Sequence, residues 1–183
     1  LRSGDAYVAG MSAGENLSAN SMFLQAFGSV VEQDDKIVGQ GHQSGYDADT
    51  SGVAFGIDSI TNGGTVIGLS VSMSNTDLEG KGTGKATNDI DSYTASLYMD
   101  KTGDAGYLEG SVTFGISENA AARTISTAGI ARSYKGVYDN QQISVKLGGG
   151  LPYEASNGAY VTPFVSVTGT LIESDAYTEV SCL

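Results

Sequence analysis

Cysteine and histidine are nearly missing: Cys182 and His42 each occur once. A single thiol excludes a disulfide framework, and one residue of each kind excludes a His/Cys zinc site assembled within the chain. Any Ser-His-Asp or Cys-His constellation would have to use His42. Tryptophan is absent, and proline occurs twice in 183 residues. No window approaches the ~18 consecutive apolar residues of a membrane-spanning helix, and the composition is not that of a collagen. Neither exclusion touches a membrane barrel, which crosses with strands. Bases are scarce too, 9 against 21 acids, for a formal net charge of −12. A phosphate polymer needs a basic face to displace its counterions, so nucleic acid is excluded as a partner. The chain opens at Leu1 with neither Met nor a charged-then-apolar leader; it is read as an excerpt of a longer protein.

What the chain does contain is alternation. Ile67, Leu69, Val71 and Met73 alternate with Gly68, Ser70, Ser72 and Ser74. Val53, Phe55 and Ile57 oppose Ala54, Gly56 and Asp58, and Leu108, Val112, Phe114 and Ile116 oppose Glu109, Ser111, Thr113 and Ser117. Ile143, Val145 and Leu147 oppose Ser144, Lys146 and Gly148. Period two of this kind predicts strands. Segments 93–100 and 161–171 follow the same rule, while Met22 to Val31 is apolar on both phases and reads as a strand of undecided face. That makes seven strands, with a short helix or a linker expected in residues 1–20.

The connections carry a second signal. Their lengths, estimated as about 17, 5, 15, 6, 21 and 7 residues, alternate long and short. The short ones hold turn chemistry, Asn62-Gly63-Gly64, Thr102-Gly103-Asp104 and Ser156-Asn157-Gly158, and the long ones are polar and acidic. A meander with tight turns at one end and long loops at the other is the arrangement of an outer-membrane barrel. Tyr107, Tyr153 and Tyr160 near the short turns, and Tyr46, Tyr93, Tyr134, Tyr138 and Tyr177 near the long loops, suggest two interfacial belts.

The two faces differ in kind. A soluble sheet usually turns Lys, Glu and Arg to water; here the polar face is mainly Gly, Ser and Thr. That composition suits a crowded aqueous lumen. Ser70, Ser72, Ser111, Thr113, Ser144 and Lys146 are therefore expected to face a lumen. Ile67, Leu69, Val71, Val112, Phe114 and Val145 are expected to face lipid.

From Gln25-Ala26-Phe27-Gly28-Ser29 through Gly45-Tyr46-Asp47-Ala48-Asp49-Thr50, then Asp89-Ile90-Asp91-Ser92-Tyr93-Thr94-Ala95-Ser96-Leu97-Tyr98 and Thr162-Pro163-Phe164-Val165-Ser166, the chain resembles the autotransporter β-domain family. The motifs run in family order over about residues 20–179. The resemblance implies an antiparallel up-and-down barrel of twelve strands in a Gram-negative outer membrane, the translocator of type V secretion. It also implies a lumen helix or linker in residues 1–20 leading from an N-terminal passenger, with residues 21–183 forming part of the barrel. Seven strands leave two open edges, so the excerpt alone is expected not to assemble. Val180-Ser181-Cys182-Leu183 departs from the family pattern.

Three sharper motifs have plainer readings. Asp47 to Asp58 has the spacing of a calcium loop, but position twelve is Asp, no helices flank it, and Val53 to Asp58 is needed as strand. A loop-to-strand corner fits better. His42 beside Asp47 or Asp49 could be drawn as a hydrolytic site, but a Gly/Gln-rich loop does not hold a base rigidly, so a solvated loop residue fits better. Asn16 and Asn20, with the lumen carboxylates Asp58, Asp100 and Glu109, could support self-cleavage of the kind some relatives perform. The paired-Asn motif is missing, and a polar lining that meets the linker is the plainer reading.

The expected function is translocation without catalysis, metal or cofactor. The passenger and outer-membrane lipid are the expected partners, together with barrel-assembly machinery and periplasmic chaperones. A porin-like passive channel would differ in having an unplugged lumen and no passenger. A soluble β-rich surface adhesin would differ in needing no detergent.

Overall fold

The computed structural model describes residues 5–12, 20–38, 41–82, 84–103, 105–127, 130–154 and 159–182. These fold as strands and turns, with no helix among the described residues. The strands are β1 (Asp5–Ser12), β2 (Asn20–Gln33), β3 (Lys36–Val38), β4 (Gly41–Gln43), β5 (Tyr46–Ile60), β6 (Thr65–Gly80) and β7 (Thr87–Gly103). They continue as β8 (Gly106–Thr127), β9 (Ile130–Gly150), β10 (Tyr153–Glu154), β11 (Tyr160–Val161), β12 (Phe164–Ser174) and β13 (Val180–Cys182).

One antiparallel sheet takes nearly all of them, in the order β1-β2-β5-β6-β7-β8-β9-β12, with β13 also on β9. Small hairpins, β3 with β4 and β10 with β11, sit inside two of the connections. Each long strand pairs with the long strand that follows it, which is an up-and-down meander. Among the described residues no pairing joins β1 to β12, so the sheet is open. All seven expected strands are present.

Three expectations change. Residues 5–12, expected as helix or linker, form β1 and pair with β2 from Asp5↔Val30 to Ser12↔Phe23. The backbone groups of β2 that do not face β5 need partners, and a strand meets that demand where a lone helix would not. The notional 15- and 21-residue loops are mostly ladder, so the expected alternation of long and short connections is not kept: β6 and β7 stay paired to Glu79↔Thr87, and β8 and β9 to Thr127↔Ile130. Polarity there marks strand above an apolar zone, because β8 has 22 residues and a tilted membrane strand needs only ~9–11. Conversely, the last connection, residues 151–163, is longer than expected and carries the β10–β11 hairpin.

β12 and β13 are one strand with a bulge. Ser174 pairs with Asn140 and Val180 with Lys135, so five residues, 175–179, stand opposite four. The extra residue lets the bulged strand bend. Tyr177 then stacks on Tyr138 with ring centroids 4.7 Å apart, and Glu179 reaches Arg123 at 2.7 Å.

No apolar side chain is buried among the described residues. A soluble domain of this size is built around a core between packed layers; here a single layer carries its large aliphatic residues outside.

Candidate functional site

The site is the sheet wall itself, and its two faces are unequally sheltered. Sheltered and exposed residues alternate from Tyr46 to Ser59 in β5, from Ile67 to Ser74 in β6 and from Thr87 to Lys101 in β7. With no second layer among the described residues, curvature of the sheet is what shelters one face, so the sheltered face lies inside the curl.

Ser70, Ser72, Ser111, Thr113, Ser144 and Lys146 all lie on that sheltered face. Its hydroxyls pair across strands: Thr50 with Thr76 at 2.8 Å, Ser72 with Thr94 at 2.7 Å, Ser96 with Thr113 at 2.8 Å and Ser144 with Thr170 at 3.0 Å. Ser92 and Ser117 add another pair at 2.9 Å. Each is a directly opposite register pair, the geometry in which cross-strand side chains interact best. Of the expected lumen carboxylates, Asp100 stands directly opposite Glu109 and accepts from Thr102 Oγ1 at 3.2 Å, while Glu109 and Asp58 have partners across the strands. Lys146 Nζ lies 2.8 Å from Glu109. Asp58 accepts from Tyr98 Oη at 3.0 Å and also from Ser21. Higher on the same face Asn119, 2% exposed, accepts from Asn88.

Glycines make room for the large side chains here. A Cβ at Gly68 would run into the ring of Tyr98, its register partner, and a Cβ at Gly150 into that of Tyr107. Phe23 and Phe27 stand likewise over Gly56 and Gly52. This settles the undecided strand: Phe23 and Phe27 turn inward, while Met22, Leu24 and Val30 are exposed outward. It also corrects the tyrosine belts. Tyr46, Tyr98, Tyr107, Tyr134 and Tyr138 share the sheltered face, and Tyr93 looks outward. A glycine opposite leaves space for a ring to lie against the wall.

Ile67, Leu69, Val71, Val112, Phe114 and Val145 are all exposed on the opposite face. From Leu108 to Ile116, at ~3.4 Å per residue and ~40° of tilt, the apolar band rises about 20 Å, close to the ~25 Å belt of outer-membrane barrels. Beyond its upper edge the same face turns acidic in three register rows: Glu32–Asp47–Glu79, Asp49–Asp77–Asp89 and Asp91–Glu118–Asp139. Like charges directly opposite repel. Lys81 relieves the first row, with Nζ 2.8 Å from Asp47, 3.1 Å from Glu32 and 3.8 Å from Asp34. Its hydrogen bond to Asp47 raises the ammonium pKa above 10.5; desolvation works the other way, and the bond to Glu32 adds to the rise. Asn75 Nδ2 bridges Asp89 at 2.7 Å and Asp91 at 3.1 Å.

The sharper motifs do not assemble. Asp47, Asp49 and Asp58 all lie in β5, but the first two point outward and Asp58 inward, so they cannot share one ion. No cluster of His, Cys, Asp and Glu suited to a metal occurs among the described residues. His42 pairs with Ile37 in β4, and its side chain lies outside the described residues. Asn16 also lies outside them, and Asn20 opens β2 opposite Ser59. The glycine notches and the acidic rows are not legible in the sequence, because both depend on which residue stands opposite which.

Residues 22–181 match the family described as autotransporter beta-domain. The chain is 26% identical over 147 residues to outer membrane protein B of Rickettsia japonica, and 27% identical over 165 residues to that of Rickettsia typhi. These matches cover 76% and 86% of this chain but 9% and 10% of those proteins, so the chain spans about a tenth of their length. No solved structure matches it.

Proposed function

The chain belongs to the autotransporter β-domain family, and from that premise we propose that residues 21–183 are the greater part of a translocator barrel that exports an attached N-terminal passenger. The domain's place is the outer membrane of a Gram-negative bacterium. The observation that supports the mechanism is the chemical split of the wall: paired hydroxyls on the sheltered face, an uncharged and mostly aliphatic band on the other. In this reading Ser70, Ser72, Ser111, Thr113, Ser144 and Lys146 line the lumen, and Ile67, Leu69, Val71, Val112, Phe114 and Val145 face lipid.

The hydroxyls give a passing chain weak, interchangeable partners. A neutral hydrogen bond nets only about 0.5–1.5 kcal/mol, so no single contact holds a moving segment for long. Lumen charges would hold it longer, and here Glu109 and Lys146 engage one another. On the lipid side every backbone group must be bonded within the wall, which the continuous ladders from β2 to β9 accomplish. The passenger lies ahead of β1, the connections 61–64, 104–105 and 151–163 face the periplasm, and the acidic strand extensions stand outside the cell. Barrel-assembly machinery and periplasmic chaperones would deliver the chain. The work proposed is conduction and anchoring, without a catalysed reaction.

The test is an epitope placed ahead of Leu1 in the full protein. Antibody should reach it on intact cells, and deleting β6 to β9 should abolish that access while the protein is still synthesised. Surface access that survives the deletion would refute the translocator role.

A further inference from the structure

Three glycines, Gly148 to Gly150, run through β9 near the short-turn end. Gly148 and Gly150 face inward, where Glu109 and Tyr107 occupy the space that their side chains would need. Gly149 faces outward between Leu108 and Val165, in a register row that runs from Thr65 through Lys101: Thr65 pairs with Lys101, Lys101 with Leu108, Leu108 with Gly149, and Gly149 with Val165. In the next row Leu147 pairs with Val167. The missing side chain leaves a backbone floor between apolar walls, a groove of about 1120 Å³ in which, among the described residues, Lys101 is the one charged lining residue. That matches or exceeds the ~300–1,000 Å³ of pockets that hold drug-sized molecules.

We propose that this groove binds an anionic glycerophospholipid, with an acyl chain against Leu108, Leu147, Val165 and Val167 and the phosphate on Lys101. The inference rests on the reading of this face as lipid-facing. Other glycines face outward, among them Gly110 with the Leu147 side chain against it and Gly169 beside Val145, but Gly149 lies in this groove and lowers the wall between Leu108 and Val165 along a defined track. Lys101 is the last outward side chain of β7, only Gly103 following it on that face, so its stem can lie on hydrocarbon and its ammonium can reach the phosphate level. The charge pattern selects the end. The outward acids gather in rows at the far end of the strands and repel an anionic headgroup, so the cation sits where such a lipid is tolerated.

The experiment folds the full protein into vesicles of equal parts phosphatidylcholine and phosphatidylglycerol, extracts it, and counts retained lipids by native mass spectrometry. Phosphatidylglycerol should be retained in preference to phosphatidylcholine. Lys101→Gln should cut that preference about fivefold, the weight of one lysine near an anionic leaflet. Val165→Trp, which fills the groove, should lower retention of both lipids at unchanged folded yield; Val167→Phe narrows the same groove if the first variant folds poorly. A folded barrel with no preference, or with a preference untouched by Lys101→Gln, overturns the lipid site and leaves the translocator reading standing. A protein that stays soluble without detergent and never enters vesicles overturns both.

Discussion

Val112 and Thr113 are neighbours that look in opposite directions: Thr113 Oγ1 lies 2.8 Å from Ser96 Oγ on the sheltered face, while Val112 stands 44% exposed on the other. An arginine at mid-membrane on a lipid face costs about 2–4 kcal/mol. The same residue on a wet inner face loses one hydroxyl pair, about 0.5–1.5 kcal/mol. In the full protein, Val112→Arg should therefore reduce folded yield in lipid vesicles far more than Thr113→Arg. Equal tolerance would remove Val112 from the lipid face, and the reverse order would exchange the faces.

Gly68 and Tyr98 should be energetically coupled. Gly68→Val forces a methyl-bearing carbon into the Tyr98 ring and should cost about 1–3 kcal/mol by overpacking. In a Tyr98→Ala background the same change should be nearly neutral, so a double-mutant cycle on unfolding free energies in urea reads the pair directly. Costs that simply add would mean that the ring does not occupy the notch.

Topology follows from where the strands outrun the apolar band. Epitopes inserted after Gly41 and after Gly82 should be reached by antibody on whole cells, as should one after Ala128, a position outside the described residues. Insertions after Gly63 or Gly103 should stay hidden until the outer membrane is opened. The opposite pattern would invert the barrel.

The strands were legible because period two survives in a single sequence. Ser70, Ser72 and Val71 declared their faces by chemistry alone. Met22 to Val31 did not, since both phases are apolar; only Gly52 and Gly56, brought opposite Phe27 and Phe23 by register, separate them. The strand extensions are hidden in the sequence for a related reason. Polar residues from Glu118 to Arg132 resemble a loop when polarity is taken to mean irregular backbone, yet β8 and β9 keep their ladder there. Pairing between two adjacent strands needs no hydrophobic signal once the nucleating segment beneath it is fixed.

Lys81 gives the upper edge an alkaline limit. A cation whose pKa is raised by folding contributes fully below its unfolded value and loses that contribution as pH climbs through the folded one. Because the Lys81 value lies above 10.5, the link among Glu32, Asp34 and Asp47 should hold across neutral and mildly alkaline pH and weaken only beyond 10.5. A spin label at Gln43→Cys, in a Cys182→Ser background, should keep constant mobility over that range and loosen above it. Lys81→Met should make it mobile throughout, and loosening centred near neutrality would contradict the assignment.

The bulge at residues 175–179 acts on the two-letter pattern of this wall as a frameshift acts on a reading frame. Before it, odd numbers carry the outward residues, as with Val165, Val167 and Leu171; after it, Val180 pairs with the outward Lys135 and Ser181 with the inward Tyr134. A variant lacking one residue between Asp175 and Glu179 would lay the strand flat with Val180 still outward, losing only the arch that seats Tyr177. A variant lacking two would turn Val180 into the lumen and Ser181 toward lipid, so tolerance here should depend on the parity of a length change more than on its size.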